Sequence, residues 1–329
     1  IVVQYFNWAT NVLTGDLGKS LRTTSRDALR MFDTTPSLQC GKYTLKLDAP
    51  RIMAIINVTP DSFSDGGQLA SAQQAIDFAL RAVEQGAHML DVGGESTRPN
   101  ARPVSIDEEL SRVIPVIEAL AASVAVPISI DTSKPQVMRA AVAAGAAFIN
   151  DVCALRNEGA LEAAAELGVP VCLMHMLGSP QTMQQDAHYD DVLVQVRQFL
   201  TERVFACEMS GIPKTNIVID PGFGFGKQLE HNLALLANLE YFIQLGVPVL
   251  AGVSRKSMIG LITGRALEQR VVGSAAAAML AAQNGARIIR VHDVAETKDA
   301  LAMLAAVNGA KRNMTSAPAK PSIQWPDED

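Results

Sequence analysis

Cysteine is scarce in this chain. There are four in 329 residues, Cys40, Cys153, Cys172 and Cys207, far apart and without a C-x-x-C pair. That spacing excludes a disulfide framework and a cysteine-based zinc site, and it reads as a reducing compartment, the cytoplasm. Cys153 and Cys172 sit in apolar runs, where a thiol serves as a small buried hydrophobe. No stretch reaches the roughly 18 uninterrupted apolar residues of a membrane span. The opening IVVQYFNWATNVLTGDLGKSLR has neither a basic leader nor a small-residue cleavage site, so it does not read as a signal peptide. The first residue is Ile1 rather than Met, which points to a start inside a longer reading frame. Basic residues are not in excess: the net charge is −6, which removes the electrostatic case for a nucleic-acid partner.

Several catalytic signatures are also missing. There is no G-x-S-x-G elbow for a serine nucleophile and no H-E-x-x-H metal motif. The glycine-rich stretch Asp220-Pro-Gly-Phe-Gly-Phe-Gly-Lys has the spacing of neither a Walker A loop nor a dinucleotide fingerprint.

What is present is a repeated pattern. An Ala/Leu-rich helical segment ends in Gly (Gly86, Gly145, Gly168, Gly246, Gly285), and a short apolar run follows and stops at a polar residue. Glycine just past a helix C-terminus takes up a left-handed backbone without a Cβ penalty. The apolar runs are short, often β-branched and uninterrupted, as in strands buried on both faces. Eight occur: RIMAIINV, HMLDV, PISID, AFIND, PVCLMH, NIVID, PVLAGV and RIIRV. Helical segments between them include 71–85, 107–123, 135–144, 190–210, 230–245 and 294–308. Eight strand–helix units over about 250 residues predict a (β/α)8 TIM barrel, with a doubly wound open sheet as the alternative.

The run 38–47 predicts a hairpin around Gly41-Lys42 that covers the barrel bottom. Three regions follow: an N-terminal arm over 1–37, expected to be mobile and with a short likeness to peptide-transporter permeases; the barrel over 38–308; and a polar, Pro-rich tail over 309–329, expected to be disordered.

A barrel of this kind carries its site at the carboxyl ends of the strands. There the sequence places Asn57, Asp91, Asp131, Asn150, Asp151, His175, Asp220, Ser254, Arg290 and His292. Any one of them can be a helix cap or a loop hydrogen-bonder, but the set converging on one face points to a site. After the first strand, the long loop NVTPDSFSDGG exposes Phe63, which suits a lid. After the second, Arg98 and Arg102 can pair with an anion or simply face solvent. Ser254-Arg-Lys-Ser opens a helix and suits an anion, and Arg290-Val-His292 puts two side chains on the same side of a strand end. His175, in an apolar strand, reads as a packed core histidine before a catalytic one. No role falls to His88 or His231.

NVTPDSFSDGG, DVGGESTRP and DPGFGFGK, supported in order by SRKS and RVHD, resemble the signature of the dihydropteroate synthase family over residues 38–308. The resemblance implies that 6-hydroxymethyl-dihydropterin diphosphate is joined to p-aminobenzoate with loss of pyrophosphate, in a homodimer. It implies a pterin pocket of Asp131, Asn150, Asp220, Lys256 and Met174. It implies a diphosphate held by Asn57, Arg98, Arg290 and His292, with Mg2+ bound partly through Asn57. Thr97, Pro99, Phe225 and Ser254 would frame the aminobenzoate, with Phe63 and Arg98 contributed by mobile loops. Asp131, Lys256, Arg290 and His292 would be the catalytic groups. Phe63 and Pro99 are as in sulfonamide-sensitive members, which implies sensitivity. Two other readings stay open: a methyltetrahydrofolate-dependent methyltransferase of the same barrel group, and a non-catalytic pterin-binding paralogue.

Overall fold

The computed structural model describes residues 36–59, 67–97, 101–178 and 187–315. The expected arm lies outside the described residues up to 35, as does the tail from 316.

The described chain opens with a hairpin, β1 (Ser37–Cys40) and β2 (Tyr43–Lys46), turning at Gly41, whose φ of 58° is the left-handed value such a turn needs. Eight strands follow: β3 (Arg51–Asn57), β4 (Met89–Gly93), β5 (Ile128–Asp131), β6 (Phe148–Asp151), β7 (Val171–Met174), β8 (Ile217–Asp220), β9 (Leu250–Ala251) and β10 (Ile288–Val291). They form one parallel sheet in the order β8-β7-β6-β5-β4-β3-β10-β9. A parallel bridge between Ile219 and Val249 joins its two edges, so the sheet is a closed barrel and not a doubly wound open one.

Helices alternate with the strands: α1 (Gly67–Gln85), α2 (Ile106–Ser123), α3 (Pro135–Ala143), α4 (Ala160–Leu167), α5 (Val192–Met209), α6 (Leu229–Ala237), α7 (Glu240–Ile243), α8 (Ser257–Thr263), α9 (Val271–Gln283) and α10 (Val294–Thr315). Their starts are written locally. Ser105 accepts the Glu108 N–H at 3.2 Å at the head of α2. Asp191 accepts from Leu193 and Val194 at the head of α5. Pro135 stands in the first turn of α3, where its missing N–H is harmless. The five helix-ending glycines all have positive φ.

The single helix expected over 230–245 is instead two. Asn238 breaks it, its side-chain amide donating to the Ala234 carbonyl at 2.8 Å and competing with the backbone of the next turn. The last helix runs on past 308 to Thr315.

Strand side chains alternate between the two faces of the barrel wall. Outward-facing Ile52, Ala54, Leu90, Ile130, Ile149 and Leu173 pack under the helices. Inward, the lowest ring is Met53, Met89, Phe148, Cys172, Val218, Leu250 and Ile288. The hairpin closes that ring from below with Leu38, Cys40, Leu45 and Leu47. The bottom of the barrel is therefore dry and close-packed. Two residues further along, the interior changes character on most strands, although β3 stays apolar with Ile55.

Candidate active site at the barrel mouth

One period of two above the apolar ring come Asp91, Asn150, Met174, Asp220, Gly252 and Arg290. The chemistry of this level is ionic. Arg290 donates through Nε to Asp91 Oδ2 at 2.6 Å and through Nη2 to Asp131 Oδ2 at 2.7 Å. Asn150 Nδ2 donates to the same Asp91 oxygen at 2.9 Å. Asp91 is fully buried, and its other oxygen has no hydrogen-bond partner among the described residues. A buried carboxylate is tolerated when it is paired, and here one guanidinium serves two acids. Burial pushes the Asp131 carboxyl up to about 7; Arg290 opposes this, and the neighbouring Asp91 adds to it.

Above this level lies a pocket lined by Asp131, Asn150, Met174, Asp220, Lys256 and Arg290, together with Thr97, Val152, Phe223, Phe225 and Gly252. It gathers all five residues expected around a pterin, and two of those expected around an aminobenzoate, Thr97 and Phe225. Its polar edges are preset. Asp220 Oδ1 accepts the Gly222 N–H at 2.7 Å. Gly252 lies beside the other oxygen of Asp220, which a Cβ there would approach to 3.7 Å. Burial raises the pKa of Asp220, partly offset by the Gly222 N–H and by Lys256. Lys256 Nζ lies 4.1 Å from the centre of the Phe225 ring, a cation–π contact that holds the ammonium over the pocket wall.

Other expected residues stand apart from the pocket lining. Ser254 and His292 bind each other: Ser254 Oγ lies 3.0 Å from His292 Nδ1 and accepts the His292 backbone N–H at 3.2 Å. Burial, with Arg290 and Arg255 nearby, holds the His292 pKa down near 3, so the ring is neutral. Asn57 is the half-buried last residue of β3, paired in register with Gly93. Arg102 is exposed. Phe63, Arg98 and Pro99 lie outside the described residues.

His175 is buried, edge-on to Phe199 at 5.0 Å, and 2.9 Å from Lys227 Nζ. Desolvation, then Lys227, brings its pKa down to about 2.

Two groups were missed at the level of single residues. Asp91 stood in the rim set without a role, yet it holds both Arg290 and Asn150. Lys227 closes the DPGFGFGK stretch and turns inward, 4% exposed. Its Nζ donates to the carbonyls of Gly222 at 2.9 Å and Phe225 at 3.0 Å. Burial lowers its pKa to about 7, with Asp220 pulling the other way. A lysine ending a glycine-rich loop was visible in the sequence, but such a lysine usually meets a ligand, and here it braces its own loop. Asn232 completes the brace by accepting the Gly224 N–H at 2.7 Å.

The loop after β4 has its own anchor. Lys134 pairs with Glu95 in that loop and with fully buried Glu109 on α2. Glu95 Oε1 accepts the Val104 N–H at 3.0 Å across the loop, and Arg112 holds the Gly94 carbonyl at 2.6 Å.

Among known proteins, residues 53–292 match the pterin binding enzyme family. The dihydropteroate synthase of Escherichia coli K12 is 52% identical over 270 residues, covering 82% of this chain and 96% of that one. A solved Xanthomonas albilineans dihydropteroate synthase with 4-aminobenzoic acid is 57% identical at a TM-score of 0.80, covering 87% of this chain and all of that one. Another structure from that organism, in complex with 7,8-dihydropteroate, is 55% identical at a TM-score of 0.77, covering 86% and 100%.

Proposed function

The chain belongs to the pterin-binding enzymes and groups with their dihydropteroate synthases, and from this we propose that it condenses 6-hydroxymethyl-7,8-dihydropterin diphosphate with p-aminobenzoate, giving 7,8-dihydropteroate and pyrophosphate. The observation that carries this reading is convergence. Asp131, Asn150, Asp220, Lys256 and Arg290 come from widely separated parts of the chain and line one pocket.

The pterin is the ligand whose hydrogen-bonding edge suits those groups. Its amino and ring N–H donors face Asp131 and Asp220. Its ring acceptors face Lys256, and the amide oxygen of Asn150 takes a further N–H. Met174 bears on its flat face. Asn57, Arg98, Arg290 and His292 hold the diphosphate. With Ser254 accepting the His292 backbone N–H and giving its own proton to Nδ1, the neutral ring keeps Nε2–H as a donor toward an anion.

As the C–O bond lengthens, Arg290 and His292 stabilise the departing pyrophosphate, and Asp131 stabilises the cationic methylene left on the pterin. Thr97, Pro99, Phe225 and Ser254, with Phe63 and Arg98, frame the aminobenzoate, whose amine then attacks the methylene carbon and sheds a proton. Water is excluded while the cation exists.

Among the described residues no three His, Cys, Asp or Glu side chains gather as a metal site. The neutral amide oxygen of Asn57 fits a Mg2+ that takes its other oxygens from diphosphate and water, as this hard ion commonly does. When bound, that ion adds positive charge to the leaving group.

We also propose a homodimer. Large apolar side chains stand exposed on α8 and α9, with Leu261 at 68%, Ile262 at 57% and Val272 at 82%. A second copy of the chain is the partner that such a surface suits. Val272→Glu is expected to sediment as a monomer, and an unchanged mass would refute this face.

The activity is tested by pyrophosphate release that requires both substrates. Release that ignores p-aminobenzoate, or methyl transfer from a reduced folate, would overturn the reading.

A further inference from the structure

We infer that Arg270 and Gly260 are positioning residues for the pterin pocket, acting on Lys256 through the backbone of Arg255. The inference rests on the placement of Lys256 in that pocket.

Arg255 has a φ of +55°, in the left-handed region that favours glycine. Among the described residues only Ala154 and Leu155 share this feature without being glycine. An unfavourable backbone persists where its surroundings over-determine it. Here three side chains do so, two from the head of α9 and one from just after β10. Buried Ser274 on α9 accepts the Arg255 N–H at 2.9 Å. Asp293, just after β10, takes the Arg255 guanidinium, with Nε 3.0 Å from Oδ2. Arg270 Nη1 donates to the carbonyl of Arg255 at 3.1 Å and to that of Lys256 at 3.4 Å.

The peptide bonds on both sides of Lys256 are thereby held by Arg270, which does not line the pocket itself. Lys256 is the N-cap of α8, with extended φ and ψ of −62° and 157°. From there its stem crosses Gly224, where a Cβ would sit 3.2 Å from Lys256 Cδ, and its ammonium reaches the Phe225 ring.

Gly260 is what allows this. It lies inside α8, where glycine weakens a helix relative to alanine. A Cβ there would stand 2.3 Å from Arg270 Nη2 and 2.6 Å from its Cζ. Only a residue without a side chain lets the guanidinium lie across α8 and reach the two carbonyls. Gly273 on α9 plays the matching part, since a Cβ there would meet Ile259 Cγ2 at 2.5 Å. The two helices meet at glycine on each side, and the site-facing end of α8 is fixed as a result.

Calorimetric titration with 6-hydroxymethylpterin tests this, with melting temperatures recorded alongside. Arg270→Met and Gly260→Ala are each expected to weaken binding about tenfold, the scale of losing hydrogen bonds from a charged donor. The double variant is expected to bind no more weakly than Arg270→Met, because both changes remove the same support. If Arg270→Met does not fold, Arg270→Lys carries the test, since its single head holds one carbonyl at most.

Lys256→Met is the reference. If it loses affinity while the Arg270 variants keep theirs, or if the two losses simply add, the inference is wrong and the pocket stands. If Lys256→Met binds the pterin unchanged, the pocket assignment falls and takes the inference with it.

Discussion

Asp131→Ala is expected to lower kcat by about 100- to 1000-fold, the range seen when one preorganised electrostatic group is removed. The change deletes the carboxylate proposed to stabilise the developing methylene cation. It does not strip Arg290 of its counter-ion, because Asp91 still accepts Nε at 2.6 Å. The loss of stability is therefore expected to be smaller than removal of the only partner of a buried charge would cause. Asp131→Asn is expected to fall nearly as far in kcat, since the amide keeps the shape and loses the charge. Initial rates of pyrophosphate release at saturating substrates, with thermal melts on the same samples, decide the matter. Turnover near the wild-type value with a much reduced melting temperature would show Asp131 to be structural only.

The largest effect on stability is expected from Lys227→Met. The methionine fits the space but offers no donor. The Phe225 carbonyl would lose its partner at Nζ, while that of Gly222 keeps the Phe225 N–H at 3.2 Å, and a buried carbonyl left unsatisfied costs about 1–3 kcal/mol. His175 would lose its partner as well. A total of about 1–3 kcal/mol, read as a shift in the urea midpoint, is the expected outcome. Phe223 and Phe225 belong to the same loop and line the pocket, so pterin affinity should fall with it. An unchanged midpoint would show that water replaces the ammonium without loss.

The strands were legible because they are buried on both sides. IMAIIN and IVID read as continuous apolar runs, and the polar residue that ends each run marks the approach to the ionic mouth. Asp131, Asn150 and Asp220 could be assigned to one rim for that reason. The helix-ending glycines were legible as well, since a left-handed residue is a local requirement.

Partnership was not legible. Nothing near Asp91 announces Arg290, 199 residues away, or says that Asn150 shares the same oxygen. Ser254 read as a wall of the aminobenzoate site, yet its hydroxyl is engaged by His292. Lys227 looked like one more loop lysine. Arg270 carries no motif at all, and only the missing Cβ of Gly260 reveals where its guanidinium lies. The break at Asn238 escaped because the flanking residues keep good helical periodicity while one side chain competes for a carbonyl.

The shared guanidinium also orders events during synthesis. Asp91 and Asp131 leave the ribosome long before residue 290 does, and the register of β4 with β5 brings them near each other. Pairing of β4 with β5 alone leaves the two acids side by side, and their shared counter-ion comes only with β10. The strand that fills the gap between β3 and β9 is thus also the one that neutralises the rim.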